Sequence, residues 1–124
     1  MNGIHEDSRP IFQQIAEKIE DDIIEGRLSE ESQVPSTNQF AAFYKINPAT
    51  AAKGVNLLVE QNILYKKRGI GMFVAEGAKE MLLEKRRHEF YEQYVVTMLR
   101  EAARLGITTV QIAEMITATT KNND

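Results

Sequence analysis

The residues best placed to do chemistry in this chain are cations beside glycines. Lys66, Lys67, Arg68 and Gly69 run consecutively, and Gly71 lies two residues on. Three positive side chains next to a residue without a Cβ let charge and backbone approach a polyanion together. That chemistry suits phosphate contact and insertion into a narrow, A·T-rich minor groove. The competing reading is a plain hairpin turn in which the glycines serve only backbone freedom. Other chemistries find less support. His88-Glu89-Phe90-Tyr91-Glu92 imitates a zinc helix, but Glu92 stands where H-E-x-x-H needs its second histidine, so no metal or protease site is expected. Serines and threonines are scattered without a positioned histidine base, which leaves no nucleophile system. The absence of cysteine removes thiol and disulfide chemistry. Gly69-x-Gly71 lacks the third glycine and succeeding helix of a nucleotide fingerprint. The chain reads as a non-enzyme with no cofactor and no metal.

Charge distribution matters more here than total charge. The net charge is −3 over 124 residues, which by itself argues against a nucleic-acid partner. Residues 1–25 hold seven acids against two bases, whereas residues 36–74 hold Lys45, Lys53, Lys66, Lys67 and Arg68 against Glu60 alone. Screening confines each surface charge to roughly 8–10 Å, so a local basic patch binds phosphates whatever the remainder carries. Taken singly, these lysines also fit ordinary solvated positions. No apolar run approaches the ~20 residues of a membrane span, and no apolar signal segment opens the chain. A soluble cytoplasmic protein without a membrane partner is expected.

The elements that position these residues are set by local signals. Ser36 precedes Gln39 by three residues, the spacing of a reciprocal helix cap, so a short helix should start at Ser36, bury Phe40 and Phe43, and stop near Lys45-Ile46. Asn47 and Pro48 then suit the cap and first turn of a second helix, in which Ala51, Val55 and Leu58 mark one buried stripe. Asn62 should close that helix in the left-handed conformation. Ile63-Leu64-Tyr65 and Met72-Phe73-Val74 read as strands around a cationic turn from Lys66 to Gly71. Helix, tight turn, helix and hairpin make a winged helix-turn-helix over residues 9–76. Such a second helix reaches base edges with its N-terminal residues, which singles out Asn47, Pro48, Ala49, Thr50 and Lys53. Ser36, Thr37 and Asn38 at the preceding helix start suit a phosphate, with capping the firmer role for Ser36. Thr50 also fits a purely local role at the helix start.

Flanking segments complete the plan. Residues 1–8 read as a flexible start containing His5, which is not read as a ligand. Ser8-Arg9-Pro10 opens a helix to Glu25 with an apolar face of Phe12, Ile15, Ala16, Ile19 and Ile23, an acidic solvated face, and Gly26 as its stop. Arg27-Leu28 is expected to add a short strand to the hairpin, with Ser29 to Gln33 as a loop. Residues 77–120 read as a helical dimerisation region and 121–124 as a tail. Tyr91, Val95, Met98, Ala102 and Leu105 recur in a heptad-like stripe, Gly106 stops that helix, and Thr108-x-x-Gln111 caps another carrying Val110, Ile112, Ala113 and Ile116. Two helices of this size cannot enclose a core, so they should pack on the same pair of a second chain in a two-fold dimer; folding back onto the first helix is the alternative. The fold class is mainly α with a small β-wing, plus a two-helix C-terminal appendage.

Three motifs carry a family resemblance. Val34-Pro35-Ser36, Asn47-Pro48-Ala49-Thr50 and Arg68-Gly69-Ile70-Gly71-Met72-Phe73-Val74 resemble the DNA-binding domain of GntR-family bacterial transcription regulators, and the Asn-Pro-x-Thr opening on so short a chain is similar to the YtrA-like subgroup. The resemblance covers roughly residues 9 to 75. It implies double-stranded DNA as partner, Arg68 and Gly69 as contacts, and repression by a homodimer, often of transporter operons. Many members carry arginine where this chain has Asn38 and near Ala52, so more of the affinity here should rest on phosphate and wing contacts. Larger relatives carry a separate effector domain that the residues after Ala75 are too few to form. A small effector, of unknown identity, would have to lie between the C-terminal helices, at the dimer interface or in the cleft against the DNA-binding domain. Phe90, Tyr91 and Tyr94 beside Arg86, Arg87 and Arg100 suit such a site, with core and interface packing as the competing reading. A winged helix used only for protein contact is the alternative function.

Overall fold

The computed structural model describes residues 8–123; the expected flexible start, apart from Ser8, and Asp124 lie outside the described residues. Helices α1 (Ile11–Ile24), α2 (Thr37–Tyr44) and α3 (Pro48–Glu60) precede strands β1 (Leu64–Lys67) and β2 (Gly71–Val74). Helix α4 (Ala78–Phe90), a π-helical segment (Tyr91–Val96), α5 (Thr97–Arg104) and α6 (Thr109–Asn123) come next. Two compact units divide inside α4, the first ending at Glu84 and the second beginning at Lys85. The fold is mainly helical with a two-stranded antiparallel wing, as the sequence pattern predicts.

In the first unit, Ile15, Ile19 and Ile23 of α1 meet Ala51, Val55 and Leu58 of α3, all at most 1 % exposed. Phe40 and Ala41 of α2, Leu64 and Val74 of the hairpin, and Ala78 and Leu82 of α4 complete this core. Each fully buried large aliphatic side chain contributes about 1.5–3 kcal/mol. Pro10 flanks the start of α1, its carbonyl accepting from the Gln13 and Gln14 amides. Gly26 ends the helix with φ +86°. The acidic face is less solvated than its composition suggests, since Glu20 is buried. Arg9 clasps Glu17, while Arg27 pairs with Asp22 and Glu25.

Two expectations need correction. Phe43 is 77 % exposed, because a helix returns to the same face after four residues and it is Tyr44 that stacks on buried Phe40, with centroids 6.3 Å apart. Nor do Arg27 and Leu28 join the wing. The Leu28 amide instead donates to the Asp22 carbonyl at the end of α1, and residues 31–34 run along β2. There Gln33 opposes Phe73, the Glu31 and Val34 amides donate to the Val74 and Met72 carbonyls, and the Val74 amide donates to the Ser32 carbonyl.

The second unit, taken by itself, has little interior. Among its described residues only Ala102 and Ile112 are buried apolar side chains. Gly106 (φ +73°) ends α5, and Thr108 with Gln111 forms the expected reciprocal cap of α6. Helix α6 runs through positions expected to form a tail. The π-helical segment interrupts the heptad-like stripe at Tyr91 and Val95, since its wider turn shifts the helical phase of α5 relative to α4.

Candidate nucleic-acid interface

The tight turn between α2 and α3 is built from caps. Ser36 Oγ accepts from the Gln39 amide at 3.1 Å, and Gln39 Oε1 accepts from the Ser36 amide at 2.7 Å. Lys45 takes the left-handed conformation (φ +58°) that stops α2. Asn47 Oδ1 accepts from the Ala49 amide at 2.7 Å, and Pro48, which has no amide to satisfy, occupies the first helical position. The two helix starts differ as anion sites. At α3 the Ala49, Thr50 and Ala51 amides are already bonded to Asn47, whereas at α2 the Thr37 and Asn38 amides have no acceptor among the described residues. An anion therefore finds open donors at α2, while α3 offers side chains. Asn38, Asn47, Pro48, Ala49 and Lys53 are exposed, as is Ser36; Thr37 and Thr50 are half-buried.

Helix α3 lies close against α1 because of a residue the sequence pattern passes over. A Cβ on Gly54 would stand 2.6 Å from the Phe12 carbonyl oxygen. Only a hydrogen atom fits there. A glycine beside a buried helical stripe is the signal that could have revealed it. Lys53 sits next to this contact, its Nζ 4.1 Å from the centroid of the Phe12 ring. The lysine thus stays exposed while its ammonium is placed by an aromatic face.

At the wing, Lys66 and Lys67 belong to β1 rather than to the turn. They pair with Met72 and Gly71, leaving Arg68, Gly69 and Ile70 to make the reversal. Gly69 has φ +79°, a conformation that favours glycine. Lys67 Nζ lies 4.4 Å from the Phe73 ring centroid, and Phe73 in turn stacks on Tyr65. Its charge is held along the hairpin rather than at the tip. No ion pair engages Lys66 or Arg68 among the described residues.

The strand-like segment before α2 holds the wing in place. Gln33 Nε2 donates to the Ile70 carbonyl at 3.1 Å, and a Cβ on Gly71 would meet that same nitrogen at 2.5 Å. Tyr65 donates to Glu31, which raises the phenol's pKa above its ordinary value. Glu30 accepts from the Gly77 and Lys79 amides, capping α4 from 47 residues away. None of these braces was legible in sequence, because each spans more than thirty residues. The second unit carries its own apolar groove of about 420 Å³, lined by Met98, Ala102, Leu105, Ile112, Met115 and Ile116 among others. Tyr91 is more than half exposed and Val95 half-buried. The described residues include no cluster suited to a metal, and no described helix is long and apolar enough to cross a membrane.

Residues 11–74 match the family model for bacterial regulatory proteins, gntR family. The HTH-type transcriptional repressor YtrA of Bacillus subtilis is 27 % identical over 109 residues, covering 88 % of this chain and 83 % of that protein. A crystal structure of a transcriptional regulator of the GntR family from Bacteroides thetaiotaomicron is 36 % identical with a TM-score of 0.76, over 92 % of this chain and 99 % of that one. The DNA-binding domain of AraR, solved in complex with operator, is 30 % identical with a TM-score of 0.50, over 52 % of this chain and 77 % of that one.

Proposed function

This chain belongs to the GntR family of bacterial regulatory proteins, and from that premise we propose that it is a homodimeric repressor acting on a roughly palindromic operator. The family is one of DNA-binding transcription regulators, not enzymes. Repression is supported by the likeness to YtrA, and operator binding through the first unit by the likeness to the AraR domain. The observation that carries the reading is the pairing, within one compact unit, of α3 with an exposed N-terminal turn and a wing whose Lys66 and Arg68 have no ion-pair partner among the described residues. Asn47, Ala49, Thr50 and Lys53 would meet base edges in the major groove. Thr37 and Asn38 amides would hold a phosphate, with Ser36 fixing the helix start. Lys66, Lys67, Arg68 and Gly69 would track the backbone into the minor groove.

Dimerisation rests on the second unit. A segment of about forty residues cannot bury enough surface to be stable alone. Leu105 and Ile116 are 64 % and 54 % exposed, and Met98 is 39 % exposed. We assign the groove they line to the same helices of a second chain, which would also cover Tyr91 and Val95. Two α3 helices would then meet half-sites about one helical turn, or a multiple of it, apart.

Light scattering coupled to gel filtration tests the assembly, and a 14.1 kDa species at all concentrations excludes it. Binding to the chain's own promoter region across several salt concentrations tests the DNA reading. Arg68→Ala should weaken binding and lower the slope of log K against log salt by about one. Thr50→Ala should alter preference between sequences. Parental behaviour of both variants would remove the contact assignment.

A further inference from the structure

The wing tip presents an apolar side chain where the cations lead one to look only for charge. Ile70 is 63 % exposed, the second most exposed large apolar residue of the first unit's described residues after Phe43. It sits between Gly69 and Gly71, and the whole hairpin from Leu64 to Val74 contains three cations and no acid. What sets Ile70 apart is its setting at the apex of a basic hairpin, a pairing of apolar tip and cationic flanks that fits a partner anionic outside and apolar inside.

The tip is also rigid by construction. The Ile70 amide donates to the Lys67 carbonyl at 2.9 Å, closing the turn. From the other side Gln33 Nε2 donates to the Ile70 carbonyl at 3.1 Å, and Gly71 leaves room for that amide group. Both backbone groups of Ile70 are therefore engaged. Its side chain is β-branched and restricted at χ1. Little freedom remains to be lost when the residue is buried in a complex.

We propose that Ile70 is an apolar wedge that enters the minor groove of duplex DNA and opens a base step, with Gln33 as the residue that positions it. This deepens the operator-binding reading and rests on it. Duplex DNA is the occupant that satisfies both chemistries: phosphates flank the groove and meet Lys66 and Arg68, while the base stack behind them accepts an aliphatic side chain at an unstacked step. A protein partner is disfavoured because one isoleucine among cations offers far less than the ~800 Å² per side of a stable interface. The site of insertion should be a flexible pyrimidine–purine step within A·T-rich sequence, where opening the stack costs least.

The test uses the full chain and duplexes that the parent protein selects from a random-sequence library, labelled at both ends so that energy transfer reports bending. Parent, Ile70→Ala, Ile70→Leu and Gln33→Ala are compared. Ile70→Ala should lose about tenfold or more in affinity, as expected when a buried aliphatic side chain is truncated. It should straighten the bound duplex while keeping the parental salt slope, because the phosphate contacts remain. Ile70→Leu should restore the bend, and Gln33→Ala should lie between parent and Ile70→Ala. Parental affinity and bending in Ile70→Ala overturn the wedge while leaving operator binding intact. So does a loss of affinity with a reduced salt slope and no change in bend, since that marks a disturbed cationic hairpin. If the parent selects no duplex at all, the operator-binding reading itself fails.

Discussion

The two units of this chain solve the burial problem in opposite ways. The first encloses its apolar residues: Ile15, Ile19, Ala51, Leu58 and Leu82 have no solvent-exposed surface. The second leaves Leu105, Val110, Met115 and Ile116 more than half exposed and buries only Ala102 and Ile112 among its described apolar residues. The difference is one of geometry rather than composition. Three helices and a hairpin can surround a common interior, whereas two helices joined by a tight turn share a single seam. Stability of the first unit is thus intramolecular, and under the proposed dimer that of the second would be linked to protein concentration.

Substitutions on either side of this divide should separate on one scale, the free energy of unfolding of the first unit in chemical denaturation. Leu58→Ala removes a fully buried side chain from α3 and should cost about 2–5 kcal/mol. Gly54→Ala forces a methyl group against the Phe12 carbonyl and should cost about 1–3 kcal/mol, with α1 and α3 pushed apart. If Gly54→Ala is neutral, the close backbone approach is not what seats α3. Ser36→Ala removes one half of the α2 cap and should cost about 1 kcal/mol. Smallest on this scale is Ile116→Glu in the second unit, expected to stay within about 0.5 kcal/mol. The same variant should nevertheless shift the scattering mass towards 14.1 kDa and weaken DNA binding, because a charge would sit in the groove assigned to the partner chain. A large loss of first-unit stability in Ile116→Glu would erase the contrast between the units.

Legibility in the sequence tracks the range of the interactions. Helix caps were readable because both partners lie within three residues. Ser36 with Gln39 and Thr108 with Gln111 form the predicted reciprocal bonds, and Asn47, read as a cap, accepts from the Ala49 amide. Left-handed stops at Gly26, Asn62 and Gly106 were readable because few residues tolerate positive φ. The buried stripe of α3 reflects a 3.6-residue period. Phe43 failed under the same reasoning, since a three-residue spacing on a short helix leaves the face ambiguous and only packing chose Tyr44 for the inner position.

By itself, then, the sequence determined the helices and hairpin of the first unit, the caps of α2, α3 and α6 and the cationic character of the hairpin, all consequences of local backbone preference and charge. Tertiary structure alone decided that residues 31–34, not Arg27 and Leu28, run along β2. It also decided that Gly54 meets the Phe12 carbonyl and that Gln33 braces the tip carrying Ile70. These depend on which distant segments meet once the core closes, and no short-range preference encodes such a meeting.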